Sequence, residues 1–168
     1  MNSGTRIVRK QVIVDMADMK TTNEPSGQLT TYVLGACVAV AIYDPKVRVG
    51  GLLHYILPES ALNPKRALNN PYIFADTGIP LLFRSAYKLG AQKERIICRL
   101  AGAANVLDPE LIFRLGPLNH LAATTILRKN NVPLTAEHVG GLAGMKLTLH
   151  LGTGRAVVSI PGGEEAEL

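Results

Sequence analysis

Tryptophan is absent from this chain of 168 residues, phenylalanine occurs three times and tyrosine five. So sparse an aromatic set offers no row of stacking platforms for single-stranded nucleic acid. No Lys/Arg block is dense enough to mark a nucleic-acid-binding stripe, although the net charge is +5. That basic balance reads as solvated surface or as a face for an acidic protein partner. No apolar run approaches the ~20 residues of a membrane-spanning helix, so no membrane insertion is expected. Met1 to Lys10 is polar and basic, without the apolar core of a secretory signal. A cytoplasmic setting is therefore expected, in which Cys37 and Cys98, the two cysteines, stay free thiols. CxxC, HxxxH and HExxH spacings are missing, so Cys37, His54 and His138 are not supported as a zinc set, and no metal or other cofactor is expected. Gly140 to Lys146 does not fit GxxxxGK[ST], and no serine sits on a nucleophile elbow.

What is present suits one globular domain, 1–168, with a loose basic arm at 1–10 and a loose acidic tail at 162–168. Leu29 to Val33, Val38 to Tyr43 and Val49 to Leu57 read as strands, the last two as continuous apolar runs joined by a short turn at Asp44-Pro45. Glu59 to Pro71 reads as a polar loop that could serve as a flap. Tyr72 to Leu89 has helical spacing, with Ile79, Leu82, Phe83, Ala86 and Leu89 on one face and a start near Ile79 because of Pro80. Arg95 to Ala101 reads as a strand. Asp108-Pro109-Glu110 marks a short helix ended by Gly116, and Asn119 to Asn130 a second, with Leu121, Ala122, Thr125 and Ile126 on its apolar face. Thr135 to Val139 and a hairpin around Gly152-Thr153-Gly154 close the chain. This order of elements predicts a mixed α/β (α+β) fold, a sandwich of mixed or antiparallel sheets flanked by helices.

The chemistry concentrates in Thr31 to His54. Cys37 follows Gly35-Ala36, small residues that let backbone N–H groups approach a substrate carbonyl. His54 lies in the next predicted strand, where strand spacing brings it within reach of Cys37 as a base for a thiol nucleophile. Thr31 offers a hydroxyl that could orient the imidazole. A cysteine in an apolar setting is also a common core residue, and a lone strand histidine a common structural one. The residues by themselves leave both readings open. Cys98, in mid-strand with no glycine before it, reads as core, and Cys37 is expected to have the lower thiol pKa of the two.

With those residues in place, the chain resembles the CheD family of chemoreceptor glutamine deamidases. The resemblance rests on Thr31-x-x-Leu34-Gly35-Ala36-Cys37-Val38-Ala39-Val40, Tyr43-Asp44-Pro45 and Gly50-Gly51-x-x-His54-x-x-Leu57-Pro58. Tyr72-x-x-Ala75-Asp76, Ile79 to Leu82, Arg99 to Ala104, Gly116-x-x-Asn119, Val139-Gly140-Gly141 and Thr153-Gly154 follow in the family's order. It implies a β-sandwich with flanking helices, Cys37 as nucleophile, His54 as base and Thr31 as the orienting group. It also implies the cytoplasmic domains of chemotaxis receptors as substrates and a CheC-type phosphatase as a further partner. Ala36 stands where the family usually has serine, and His138 where it has aspartate. Arg99-Leu100-Ala101 and Gly144-Met145-Lys146 also depart from its pattern. A non-catalytic adaptor, or a thiol hydrolase acting on another amide or a methyl ester, are the alternatives.

Overall fold

A computed structural model of the chain describes residues 10–108, 110 and 112–168. Nearly all of the expected basic arm, 1–9, lies outside the described residues, as do Pro109 and Leu111. In chain order the elements are β1 (Gln11–Val14), β2 (Asp18–Thr22), β3 (Gln28–Thr31), β4 (Val38–Asp44), β5 (Val49–Tyr55), α1 (Pro64–Asn69), α2 (Ala75–Lys88), β6 (Ile97–Gly102), α3 (Leu115–Lys129), β7 (Leu134–Val139), β8 (Lys146–His150), β9 (Ala156–Ser159) and β10 (Glu165–Glu167). They form two five-stranded mixed sheets, ordered β1-β3-β8-β9-β10 and β2-β5-β4-β6-β7. The expected α+β sandwich with helices is therefore present.

Strands β4 and β5 read as unbroken apolar runs because both of their faces are covered. On β4, Val38, Val40 and Ile42 pack with Ile79 and Leu82 of α2 and Ala123 and Leu127 of α3. The alternate residues Ala39, Ala41 and Tyr43 pack with Leu29, Leu147 and Leu149 of the first sheet. The central sheet thus has helices on one side and the other sheet on its opposite side. Any side chain on the Ala39 side of β4 or β5 points into the space between the sheets.

Several elements differ from the sequence reading. β2 pairs antiparallel with β5 as an edge strand, only partly buried, so its residues carry little of the apolar signal that marks a strand. The supposed flap contains α1, with Pro64 at its start and the Asn63 side chain accepting the Arg66 N–H. Helix α2 starts at Ala75 and runs through Pro80, which lies on a partly exposed position of its second turn. Part of the helix expected at Asp108 lies outside the described residues. What is described there is turn, with the Asp108 carboxylate accepting from the N–H groups of Ile112, Phe113 and Arg114. Gly116, expected as a stop, is in the first turn of α3. The buried stripe of α3 is Gly116, Asn119, Ala123 and Leu127, while Leu121 is 59% exposed. Glu165–Glu167 is not loose: it pairs with β9 and Glu167 bridges Arg155. Among the described residues no helix is long and apolar enough to cross a membrane.

Candidate active site

Cys37 sits one residue ahead of β4, whose first residue, Val38, pairs with Tyr55 on one side and Gly102 on the other. The three carbonyls of the approach are all taken. Gly35 accepts from the Ala104 N–H at 2.8 Å, Cys37 from the Ala103 N–H at 2.8 Å, and Ala36 from the Asn119 amide at 2.9 Å. Among the described residues the N–H groups of Gly35, Ala36 and Cys37 donate to no backbone carbonyl. A turn held by its carbonyls with its N–H groups uncommitted is the arrangement that receives a developing oxyanion.

The close approach of β6 to this turn requires glycine. Gly102 has φ +110°, and a Cβ built there would lie 2.3 Å from the Cys37 carbonyl oxygen. Gly102→Ala is expected to cost about 3 kcal/mol in folding free energy, from strained backbone and overpacking together. It should also displace Cys37. Denaturant melts read the first effect and the alkylation rate of Cys37 the second.

His54 is paired with Ala39 of β4 and with Asp18 of β2. Leu53 and Tyr55 pack toward the helices and Leu52 toward the first sheet, so His54 points between the sheets, as Ala39 and Cys37 do. Cys37 precedes Ala39 by two residues, which makes it the diagonal same-face neighbour of His54. The imidazole is completely buried, and among the described residues neither ring nitrogen meets the geometry of a hydrogen bond. Burial lowers its pKa. The Val14 carbonyl and the carboxylates of Asp15 and Asp18 work in the opposite direction, without the Val14 carbonyl reaching the geometry of a closed hydrogen bond.

Thr31 ends β3 on the same face as Leu29 and is buried between the sheets. Its Oγ1 accepts the Leu147 N–H at 3.0 Å and makes no bond to His54. Val14 is its neighbour across the parallel β1–β3 pairing. The first sheet thus presents a hydroxyl and a carbonyl at one level. A strand register of this kind is not readable from β1 as a short sequence run, so nothing in the sequence points to Val14. Asn119 is visible in the sequence only as part of a motif; its amide donates to Ala36 and also to Ile56, at 2.7 Å. His138 lies in the same cross-strand row as His54, separated from it by β4 and β6. Three strand spacings of ~4.8 Å put those backbones about 14 Å apart, so they do not converge as metal ligands. Among the described residues no group of His, Cys, Asp and Glu could hold a metal.

The two thiols have different surroundings. Cys98 is enclosed in the core under the helices, and burial pushes it up to about 12. Cys37 is partly exposed; burial raises its thiol pKa, and its own N–H pulls the other way. Nothing holds it below the ordinary thiol value. Burial thus favours the neutral form of both the thiol and the imidazole, and a thiol in that form needs a base if it is to act as a nucleophile. Of Thr31, Cys37 and His54, only Cys37 has exposed surface.

Comparison with known proteins shows the family of the chain. The family model described as CheD chemotactic sensory transduction matches residues 56–160. The chain belongs to the CheD family. A probable chemoreceptor glutamine deamidase, CheD 1 of Syntrophus aciditrophicus, is 47% identical over 94% of this chain and 98% of its own length. The probable chemoreceptor glutamine deamidase CheD of Solibacter usitatus is 44% identical over 87% of this chain and 86% of its own. The protein of that name from Pyrococcus horikoshii is 39% identical over 87% and 90%.

Proposed function

We propose that this chain is a protein-glutamine deamidase that converts glutamine side chains on the cytoplasmic domains of chemotaxis receptors to glutamate and ammonia. The observation that carries the reading is Cys37, a partly exposed residue diagonal to the buried imidazole of His54, in a turn whose 35–37 N–H groups donate to no backbone carbonyl among the described residues. In the proposed sequence Cys37 Sγ attacks the carboxamide carbon as His54 takes the thiol proton. The carbonyl oxygen becomes the oxyanion and turns toward the N–H groups of 35–37. His54 returns the proton to nitrogen, the C–N bond breaks and ammonia leaves a thioester. Water, deprotonated by His54, then cleaves the C–S bond to give glutamate and the free thiol. Thr31 is proposed to orient the imidazole through the lone pair that Leu147 leaves open. A CheC-type phosphatase is proposed as a second partner on the strength of the family resemblance, and the cytoplasm as the setting.

An exposed apolar border adjoins the turn. Leu107, 95% exposed, lies between two shallow depressions that both include Gly35, one shared with Phe113 and the other with Val33. A receptor segment presenting its glutamine to Cys37 would lie across it. Leu107→Asp is expected to raise KM for a receptor fragment about tenfold, with kcat and the alkylation rate of Cys37 unchanged; an unchanged KM would place the substrate elsewhere. Product analysis tests the reaction itself. Ammonia released from receptor fragments supports deamidation, methanol would make the protein an esterase, and neither would favour a docking role.

A further inference from the structure

We infer that Asn119 is a positioning residue for the reaction, setting the Ala36–Cys37 peptide so that its N–H points at the oxyanion. The inference rests on the deamidase reading. The β4–β5 ladder ends at Val38 and Tyr55, and beyond it the chains part: Ile56 turns to bond the Ile73 carbonyl, and Cys37 is drawn to Ala103. Asn119 of α3 spans the opening. Its Nδ2 donates to Ile56 at 2.7 Å and to Ala36 at 2.9 Å, using both amide hydrogens. Its own backbone carbonyl accepts the Tyr55 hydroxyl at 2.5 Å, which fixes this turn of α3 against β5. One side chain therefore ties the strand end after His54 to the strand end before Cys37.

The bond to Ala36 has a particular consequence. The Ala36 carbonyl and the Cys37 N–H belong to one planar peptide unit. Holding the oxygen fixes the direction of the N–H, and polarisation through the peptide strengthens it as a donor. That N–H already favours the ionised Cys37 sulfur. Packing does not explain the residue. Asn119 is completely buried in a stripe otherwise made of Gly116, Ala123 and Leu127, and among the described residues its Oδ1 has no hydrogen-bond partner. An apolar side chain would fill this place without an orphan acceptor, so the feature that distinguishes asparagine here is its pair of donors.

The test uses the full chain with Asn119→Asp, which keeps the shape and puts an oxygen where the amide nitrogen was, and Asn119→Ser, whose shorter side chain withdraws the amide from both carbonyls and leaves room for water. Deamidation of a receptor fragment is measured as kcat and KM separately, beside the parent and Cys37→Ala. Resistance of buried Cys98 to alkylation reports that each variant is folded. The expected result is a fall in kcat of about a hundredfold in the folded variants, with KM within twofold. If Asn119→Asp exposes Cys98, the kinetics of Asn119→Ser decide the matter. A folded variant with kcat within twofold of the parent, or with its whole loss in KM, overturns the inference. Activity persisting in Cys37→Ala would instead overturn the Cys37 mechanism on which it rests, and an inactive parent would overturn the deamidase reading.

Discussion

Cys37→Ala is expected to abolish ammonia release from receptor fragments, with kcat/KM falling about ten-thousand-fold and the fold intact. The size follows from the role. If Cys37 forms the C–S bond, its removal takes away the whole covalent route, and what remains is binding and the N–H groups of the turn. Little stability should be lost, because Cys37 is only partly buried at the edge of the core between the sheets and the carbonyl contact of residue 37 comes from the backbone. Thermal melts of parent and variant should therefore nearly coincide. Cys98→Ala is the matching control: its sulfur is buried under the helices, so activity per folded molecule should survive while stability falls. An active Cys37→Ala beside an inactive but folded Cys98→Ala would reverse the assignment of the two thiols.

His54→Gln carries the second large effect, a fall in kcat of about a thousandfold from loss of the proton carrier. Its pH behaviour distinguishes a buried base from a surface one. Burial sets the folded pKa below the ordinary 6.5. The imidazole stays neutral, and able to accept a proton, to below that value, so the acid limb of kcat/KM should lie under pH 6.5. Stability follows the same sign. Above 6.5 neither the folded nor the unfolded chain protonates this group. As pH falls the unfolded chain takes up a proton first, so the parent loses stability progressively through the depressed folded value. His54→Gln lacks that loss, and its melting temperature should fall less than the parent's between pH 7 and pH 5. Parallel melting curves would show that His54 is not held neutral. Cys37, raised by burial, should alkylate ever faster as pH climbs past the ordinary thiol value of 9.0.

Legibility in the sequence follows burial. The central strands β4 and β5 are plain because covering on both faces demands apolar residues throughout, and the turn between them demands little. With that hairpin recognised, the diagonal placement of Cys37 and His54 comes within reach of strand spacing alone. The edges are harder. β2 and β10 are short and polar, and their pairing is decided by the strands beside them rather than by their own residues. Helix α3 reads only half correctly: Ala122 and Ile126 pack against the core as expected, but Leu121, which looks like part of the inward face, is exposed. The true stripe contains a polar residue, Asn119, whose burial makes sense only when the carbonyls of Ala36 and Ile56 are in view. Thr31 and Val14 share a level because β1 and β3 pair in register, and no local pattern records which strands become neighbours.

The most direct measurement is a mass-spectrometric map of a receptor cytoplasmic fragment after incubation with the parent chain and, in parallel, with Cys37→Ala. The expected result is conversion of one or more glutamines to glutamate by the parent, with release of ammonia, and no conversion by the variant. Equal conversion by both proteins would contradict a cysteine mechanism, and a fragment left unchanged by the parent would contradict the deamidase itself.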